Sequence, residues 1–177
     1  VAGSGADTIT GGAGNDNITS GLGIDTLTGG AGADTFQFKI ADVDALIANV
    51  DNVTDFGTGT NIIDFSDLTI ANLRGTGASY EVVSAGVNAV ATNTGIVEQL
   101  GDLSDLLVAT VLTAANSMTG WVIADIVYFV GTDGTDTNVY LLSETAGNTT
   151  LDTATIVVSL TGVVESDFTA ANFADFS

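Results

Sequence analysis

Cysteine and histidine are absent from the 177 residues, and Lys39 and Arg74 are the only basic side chains. Without a thiol or an imidazole there is no disulfide, no catalytic cysteine, no Ser-His-Asp arrangement and none of the usual zinc ligand sets. Catalysis within this stretch is not expected. Against the two basic residues stand 22 acidic ones, a formal charge of -20. Such a surface disfavours nucleic acid and anionic membranes as partners. No long apolar run occurs, so neither a membrane span nor direct membrane insertion is expected, and no basic segment leads into an apolar one as in a cleavable leader. Val1 stands in the phase of the repeat described next, which reads as the C-terminal part of a larger protein.

What the chain has is glycine, 22 residues of it, and 45% hydrophobic residues, enough for a core in one elongated domain or two small ones. Over residues 2–37 a nonapeptide recurs four times without a slip. The copies are 2–10 with Asp7 and Ile9, 11–19 with Asp16 and Ile18, 20–28 with Asp25 and Leu27, and 29–37 with Asp34 and Phe36. Each follows Gly-Gly-x-Gly-x-Asp-x-U-x with U apolar, Ala2 and Ser20 replacing the leading glycine in copies one and three. Glycine lets a loop enter φ > 0 and gather backbone carbonyls where a Cβ would hinder it. Carbonyls plus a carboxylate suit Ca²⁺, a hard cation that takes about 6 to 8 oxygen ligands. A flexible glycine linker would not hold aspartate and apolar positions in fixed phase. One loop alone supplies too few oxygens.

This nonapeptide is the repeat of the parallel β-helices that bind Ca²⁺ in RTX proteins, and residues 2–37 resemble an RTX β-roll. The resemblance implies that two nonapeptides make one coil and that an ion lies between loops one coil apart. Copies one and three then face each other, as do two and four. That pairs Asp7 with Asp25 and Asp16 with Asp34 in two Ca²⁺ sites on opposite edges. The carbonyls of Gly3, Gly5, Gly12, Gly14, Gly21, Gly23, Gly30 and Gly32 are implied as further ligands. Each short strand turns its middle residue inward, which stacks Ile9, Ile18, Leu27 and Phe36. Bound calcium would neutralise part of the self-repulsion of so acidic a chain, so folding is expected to be coupled to it.

Ile40, Val43, Leu46, Ile47 and Val50 follow helical spacing and predict a short helix over 39–50. The stretch 53–66, with Asp55-Phe56, a glycine turn and Asn61-Ile62-Ile63-Asp64-Phe65-Ser66, resembles the segment that closes the roll in serralysin-type secreted metalloproteases. Asn61 stands where that pattern has an acid. Two readings follow for Asp55 and Asp64: ligands of a terminal Ca²⁺, or acceptors of turn hydrogen bonds. Residues 73–94 suggest loop and strand without a site. Asp102 reads as the cap of a helix whose stripe is Leu103, Leu106, Leu107, Thr110, Val111 and Ala114. Antiparallel strands are expected over 121–130, 138–143 and 155–160. Asp133 and Asp136 in the first turn read as hairpin chemistry before a metal site. The close, with Gly162, Val163, Val164, Asp167, Phe168, Phe173, Asp175 and Phe176, resembles the region by which RTX proteins leave through type I machinery; the alternative is a solvated tail anchored by phenylalanines.

The expected fold is mainly β: a short parallel β-roll at 1–38, continuing into an antiparallel β-sandwich-like part at 39–177 with one or two short helices. The resemblance implies a calcium-binding C-terminal module of a type I-secreted protein, working outside the cell or at its surface. Two parents are in view. The low Lys, Arg, Met and Cys content is similar to that of RTX-type bacterial surface-layer (S-layer) proteins, which implies self-association in a lattice. A secreted protease or lipase would carry the same module as a non-catalytic export and folding tail. Thr8-Ile9-Thr10 and Thr26-Leu27-Thr28 also give the Thr-x-Thr pattern of ice- or surface-binding solenoids. Asn17 and Gln37 break that ladder, and threonine favours strands without any further role.

Overall fold

The computed structural model describes residues 3–38, 50–58, 60–65, 80–84, 96–100, 103, 106–118, 126–143, 150–164 and 170–174. Six short strands wind the roll: β1 (Thr8–Ala13), β2 (Asn17–Thr19), β3 (Thr26–Ala31), β4 (Thr35–Gln37), β5 (Asp51–Val53) and β6 (Ile62–Asp64). One wall stacks β1, β3 and β5 in parallel, with Ile9 beside Leu27 and Leu27 beside Val53. The other stacks β2, β4 and β6, with Ile18 beside Phe36 and Phe36 beside Ile63. The nine-residue phase therefore becomes a one-coil register, and β5 and β6 add a third coil beyond the four repeats.

Inward-facing residues at the U positions close the interior. Leu27, Phe36, Val53 and Ile63 have no exposed surface, whereas Ile9 on the first coil is only half-buried. Aromatics fill the wider end. Phe56 tilts against Phe36 with ring centroids 6.2 Å apart, and Phe65 stacks on Tyr128 at 4.5 Å. Offset ring pairs of this kind add to the area they bury.

The C-terminal part is built on the same wall. Strands β9 (Ile126–Thr132), β10 (Thr137–Ser143) and β11 (Thr153–Leu160) are antiparallel, and β11 runs parallel to β5 with Leu160 beside Val53. At the far side β7 (Tyr80–Ser84) and β8 (Ile96–Leu100) add in parallel, giving one sheet of eight strands in the order β1-β3-β5-β11-β10-β9-β8-β7. Alternation along β9 and β10 assigns the two faces. Tyr128, Val130 and Val139 join the roll core, while Val127, Phe129, Tyr140 and Leu142 pack with Val111, Ala115 and Met118 around helix α1 (Val108–Ser117). The second sheet ends in β12 (Phe173–Ala174), which pairs parallel with β6. Phe173 is thus a buried anchor. Phe168, Asp175 and Phe176 lie outside the described residues.

The mainly β class, with a roll leading into further sheet and a short helix, is what the model shows. Its details differ from the sequence-based expectations in two respects, the start of the helix and the limits of the strands. The helix begins at Val108, with Leu107 at the N-cap and no side-chain cap. Leu103 donates its N–H to the Thr132 carbonyl at 2.7 Å, and the Leu106 carbonyl accepts the Tyr140 hydroxyl at 2.7 Å. Those leucines are tied to the sheet, which delays the helix by more than a turn; Asp102 and Asp105 are outside the described residues. The strands expected at 138 and 155 start at Thr137 and Thr153, and β9 runs on to Thr132. The helix expected over 39–50 falls outside the described residues, except for Val50. Among the described residues no helix is long and apolar enough to cross a membrane.

Candidate metal centre

The loops that join the strands stack as the spacing requires. On the first edge Gly3 and Gly5 face Gly21 and Gly23: Leu22 N–H donates to the Gly3 carbonyl at 3.0 Å, and Gly5 N–H to the Leu22 carbonyl at 2.7 Å. On the second edge Gly12 and Gly14 face Gly30 and Gly32, and Gly14 N–H donates to the Ala31 carbonyl at 2.6 Å. Glycine is required here for two reasons at once. Gly30 has φ of 100°, and a Cβ on it would overlap the carbonyl oxygen of Gly12 in the coil above.

Asp25 and Asp34 each join two coils with one oxygen. Asp25 Oδ1 accepts the Asp7 N–H at 2.7 Å, and Asp34 Oδ1 accepts the Asp16 N–H at 2.9 Å. The structure thus brings Asp7 to Asp25 and Asp16 to Asp34. The same bond recurs one coil further: Asp51 Oδ1 accepts the Asp25 N–H at 2.8 Å, and Asn61 Oδ1 accepts the Asp34 N–H at 2.9 Å. Each rung is one charge-assisted or amide hydrogen bond between coils.

The second oxygen is different. Oδ2 of Asp16, Asp25 and Asp34 is buried without a hydrogen-bond partner. A buried carboxylate oxygen left unpaired costs on the order of 1–3 kcal/mol or more. Three of them in one small roll are donors suited to a cation. No basic side chain stands among the described residues, since Lys39 and Arg74 lie outside them. Asp16 Oδ2 and the Gly29 carbonyl oxygen each lie 2.6 Å from the point a Cβ on Gly11 would occupy. A carboxylate and a carbonyl thus converge at the glycine cradle. Among the described residues no three acidic side chains gather into a cluster; a cation here takes most of its oxygens from the main chain. An all-oxygen donor set of this composition fits a hard ion such as Ca²⁺.

Asp55 and Asp64 act between coils. The Asp55 carboxylate accepts the N–H groups of Gly29 and Gly30 at 2.9 and 2.8 Å, and Asp64 Oδ2 accepts from Gln37 Nε2 at 3.2 Å. In the distal hairpin Asp133 Oδ1 accepts the N–H groups of Thr135 and Asp136, both at 2.9 Å, and Asp136 Oδ1 accepts that of Gly162 at 2.8 Å. Both carboxylates serve turn and loop hydrogen bonds, the first of the two readings above. Sequence reasoning missed Asp51 and Asn15, whose Oδ1 accepts the Ala33 N–H at 2.9 Å. The one available signal for Asp51 was Asp51-Asn52-Val53, the Asp-x-U half of the repeat without its glycines.

None of the curated proteins matches the chain. The fourth copy, at 29–37, extends the pattern beyond the span that a family model matches, and follows the second copy in strict register. The matched span itself is residues 1–27, its model is the RTX calcium-binding nonapeptide repeat (4 copies), and the chain accordingly carries an RTX calcium-binding domain whose ion is Ca²⁺.

Proposed function

We propose that this chain is a calcium-folded C-terminal module of a type I-secreted bacterial surface-layer protein, in which Ca²⁺ drives folding outside the cell and then assembly. The observation that carries the reading is the set of buried, unpartnered oxygens on Asp16, Asp25 and Asp34. Asp7 and Asp25 with the carbonyls of Gly3, Gly5, Gly21 and Gly23 hold one ion. Asp16 and Asp34 with those of Gly12, Gly14, Gly30 and Gly32 hold the other. Asp55 and Asp64 serve as hydrogen-bond acceptors that join the last coils. An RTX repeat is a structural calcium module, and no catalytic role is assigned to it.

The energetics favour a switch. An ion that binds only the folded chain at about 100 times its Kd adds about 2.7 kcal/mol. Two such ions match the lower end of a typical domain stability of roughly 5–15 kcal/mol. Removing them also restores the repulsion of a chain at -20. In a calcium-poor cytosol the polypeptide stays open for export through type I machinery; in a millimolar extracellular medium it closes. Low Lys and Arg content, a single Met and no Cys support the surface-layer parent. The roll-closing stretch 53–66 favours the second reading, the non-catalytic tail of a secreted protease or lipase.

A calcium titration followed by circular dichroism and light scattering separates these. Folding with rising scatter supports the surface-layer module, folding without scatter supports the enzyme tail, and no transition refutes the calcium mechanism.

A further inference from the structure

The two edges of the roll are not equivalent at the third coil. On the first edge the ladder Asp7, Asp25, Asp51 keeps an acid at every rung. On the second it reads Asp16, Asp34, Asn61. Asn61 is 1% exposed, and its Oδ1 makes the bond to the preceding coil that an aspartate makes. What differs is the other terminal atom. In Asp16 and Asp34 it is an oxygen without a partner, lying against the glycine five positions earlier, Gly11 and Gly29 respectively. In Asn61 it is an NH₂ group that donates to the carbonyl five positions earlier, Phe56 O at 3.0 Å, and to Asp55 O at 3.3 Å.

A carboxylate oxygen close to a carbonyl oxygen, as Asp16 Oδ2 and Gly29 O are at the Gly11 cradle, is repulsive until a cation stands between them, whereas an amide N–H bonded to a carbonyl needs nothing further. The surroundings of Asn61 are complete in the same way. Its own carbonyl accepts Asn172 Nδ2 at 2.8 Å, and the Asp55 carboxylate is engaged by the N–H groups of Gly29 and Gly30.

We propose that the Asn61 carboxamide takes the place of a calcium ion, so that the third rung of this edge closes without metal and the replacement Asn61→Asp would create a calcium site there. This rests on the calcium reading of the first two coils. The rung is set by one atom pair: an amide nitrogen makes it a hydrogen-bonded clasp, and a carboxylate oxygen makes it an ion site. The C-terminal segment that carries Asn172 is thereby held to the roll by a bond independent of calcium concentration.

The test compares the calcium stoichiometry of the full chain by isothermal titration calorimetry with that of Asn61→Asp and Asn61→Leu. The expected result is one additional ion for Asn61→Asp, and no gain for Asn61→Leu. Asn61→Asp binding the same number of ions as the parent overturns the proposal. Should Asn61→Asp not fold in calcium, the reciprocal change Asp34→Asn decides. It is expected to lose one ion while keeping the β signal at saturating calcium; an unchanged ion count or loss of the β signal overturns the proposal. Absence of calcium binding by the parent chain would instead refute the underlying assignment of the roll, a separate outcome.

Discussion

Gly12 and Gly30 occupy the same phase of the repeat, with φ of 116° and 100°, yet only Gly30 has a coil above it. A Cβ on Gly12 meets nothing within 4 Å, whereas a Cβ on Gly30 overlaps the Gly12 carbonyl oxygen and stands 2.9 Å from its carbon. Gly12→Ala therefore measures the conformational cost alone, about 1–3 kcal/mol for a side chain in this backbone region. Gly30→Ala adds a clash between two backbones, neither of which can swing away. Relief requires the loops to part, which sacrifices Gly14 N–H to Ala31 O and Asp16 N–H to Asp34 Oδ1. At about 1 kcal/mol for the neutral bond and about 1.5–3 for the charged one, the extra loss is roughly 3 kcal/mol. Urea unfolding of both variants at saturating calcium checks this. Shared between two ions, ~3 kcal/mol also raises the calcium midpoint about tenfold. Equal destabilisation of the two variants, to within about 1 kcal/mol, would refute the stacked-loop account, because the variants differ only in what lies above them.

Four further outcomes follow from the geometry. Replacing Asp16 or Asp34 by Ala is expected to raise the calcium midpoint of folding well above that of Asp133→Ala, whose carboxylate serves only its hairpin turn; equal shifts in a dichroism titration would contradict the pairing. Phe36→Ala empties the middle of the roll, where the ring has no exposed surface and packs on Phe56, and should cost about 3–5 kcal/mol in denaturant melts of the calcium-loaded protein. Burial pushes the Tyr128 hydroxyl well above its ordinary 10.0. The neutral phenol is the form the fold favours, so its contribution is complete below pH 10 and is lost as pH rises toward the folded value; tyrosinate absorbance should show Tyr128 ionising only together with unfolding. Chelation with EDTA should abolish most of the β signal in the far ultraviolet, and an unchanged spectrum would mean that packing alone folds the roll.

The roll was legible because three constraints coincide in nine residues: glycine for the loop, aspartate for the rung and an apolar residue for the interior. Any one of them is weak, and their fixed phase is not. Register, edge pairing and the inward stack of Ile18, Leu27 and Phe36 all follow from it. The C-terminal part offered only apolar alternation, which identifies strands but not their neighbours. That β11 joins β5 in parallel, linking residues more than 100 positions apart, has no local signature. The start of α1 was misjudged for a related reason. Leu103 and Leu106 fit the helical stripe, but their backbone groups are taken by Thr132 and Tyr140, and tertiary hydrogen bonds outweigh a weak local preference.

The third coil shows what the repeat keeps as its most visible residues are lost one by one. Asp51 and Asn61 lie 26 and 27 residues after the aspartates they stack on, rather than 18; no glycine precedes Asp51 closely, whereas Gly57 and Gly59 stand four and two positions before Asn61, the offsets they have in the repeat. A search for the nonapeptide stops at Gln37. Yet Asp51-x-Val53 and Asn61-x-Ile63 reproduce the rung and the inward side chain of Asp25-x-Leu27 and Asp34-x-Phe36, with the same bond from the main-chain N–H above. The rung and the apolar residue serve the stacking of coils, and Asp51 and Val53 do so without a glycine run before them. The Asp51 rung has therefore lost its glycines and remains in register, while the Asn61 rung keeps two of them and changes its acid instead. At Asn61 an amide satisfies the loop carbonyls of Asp55 and Phe56, and the extra eight or nine residues of spacing are tolerated because they enter between rungs rather than within one.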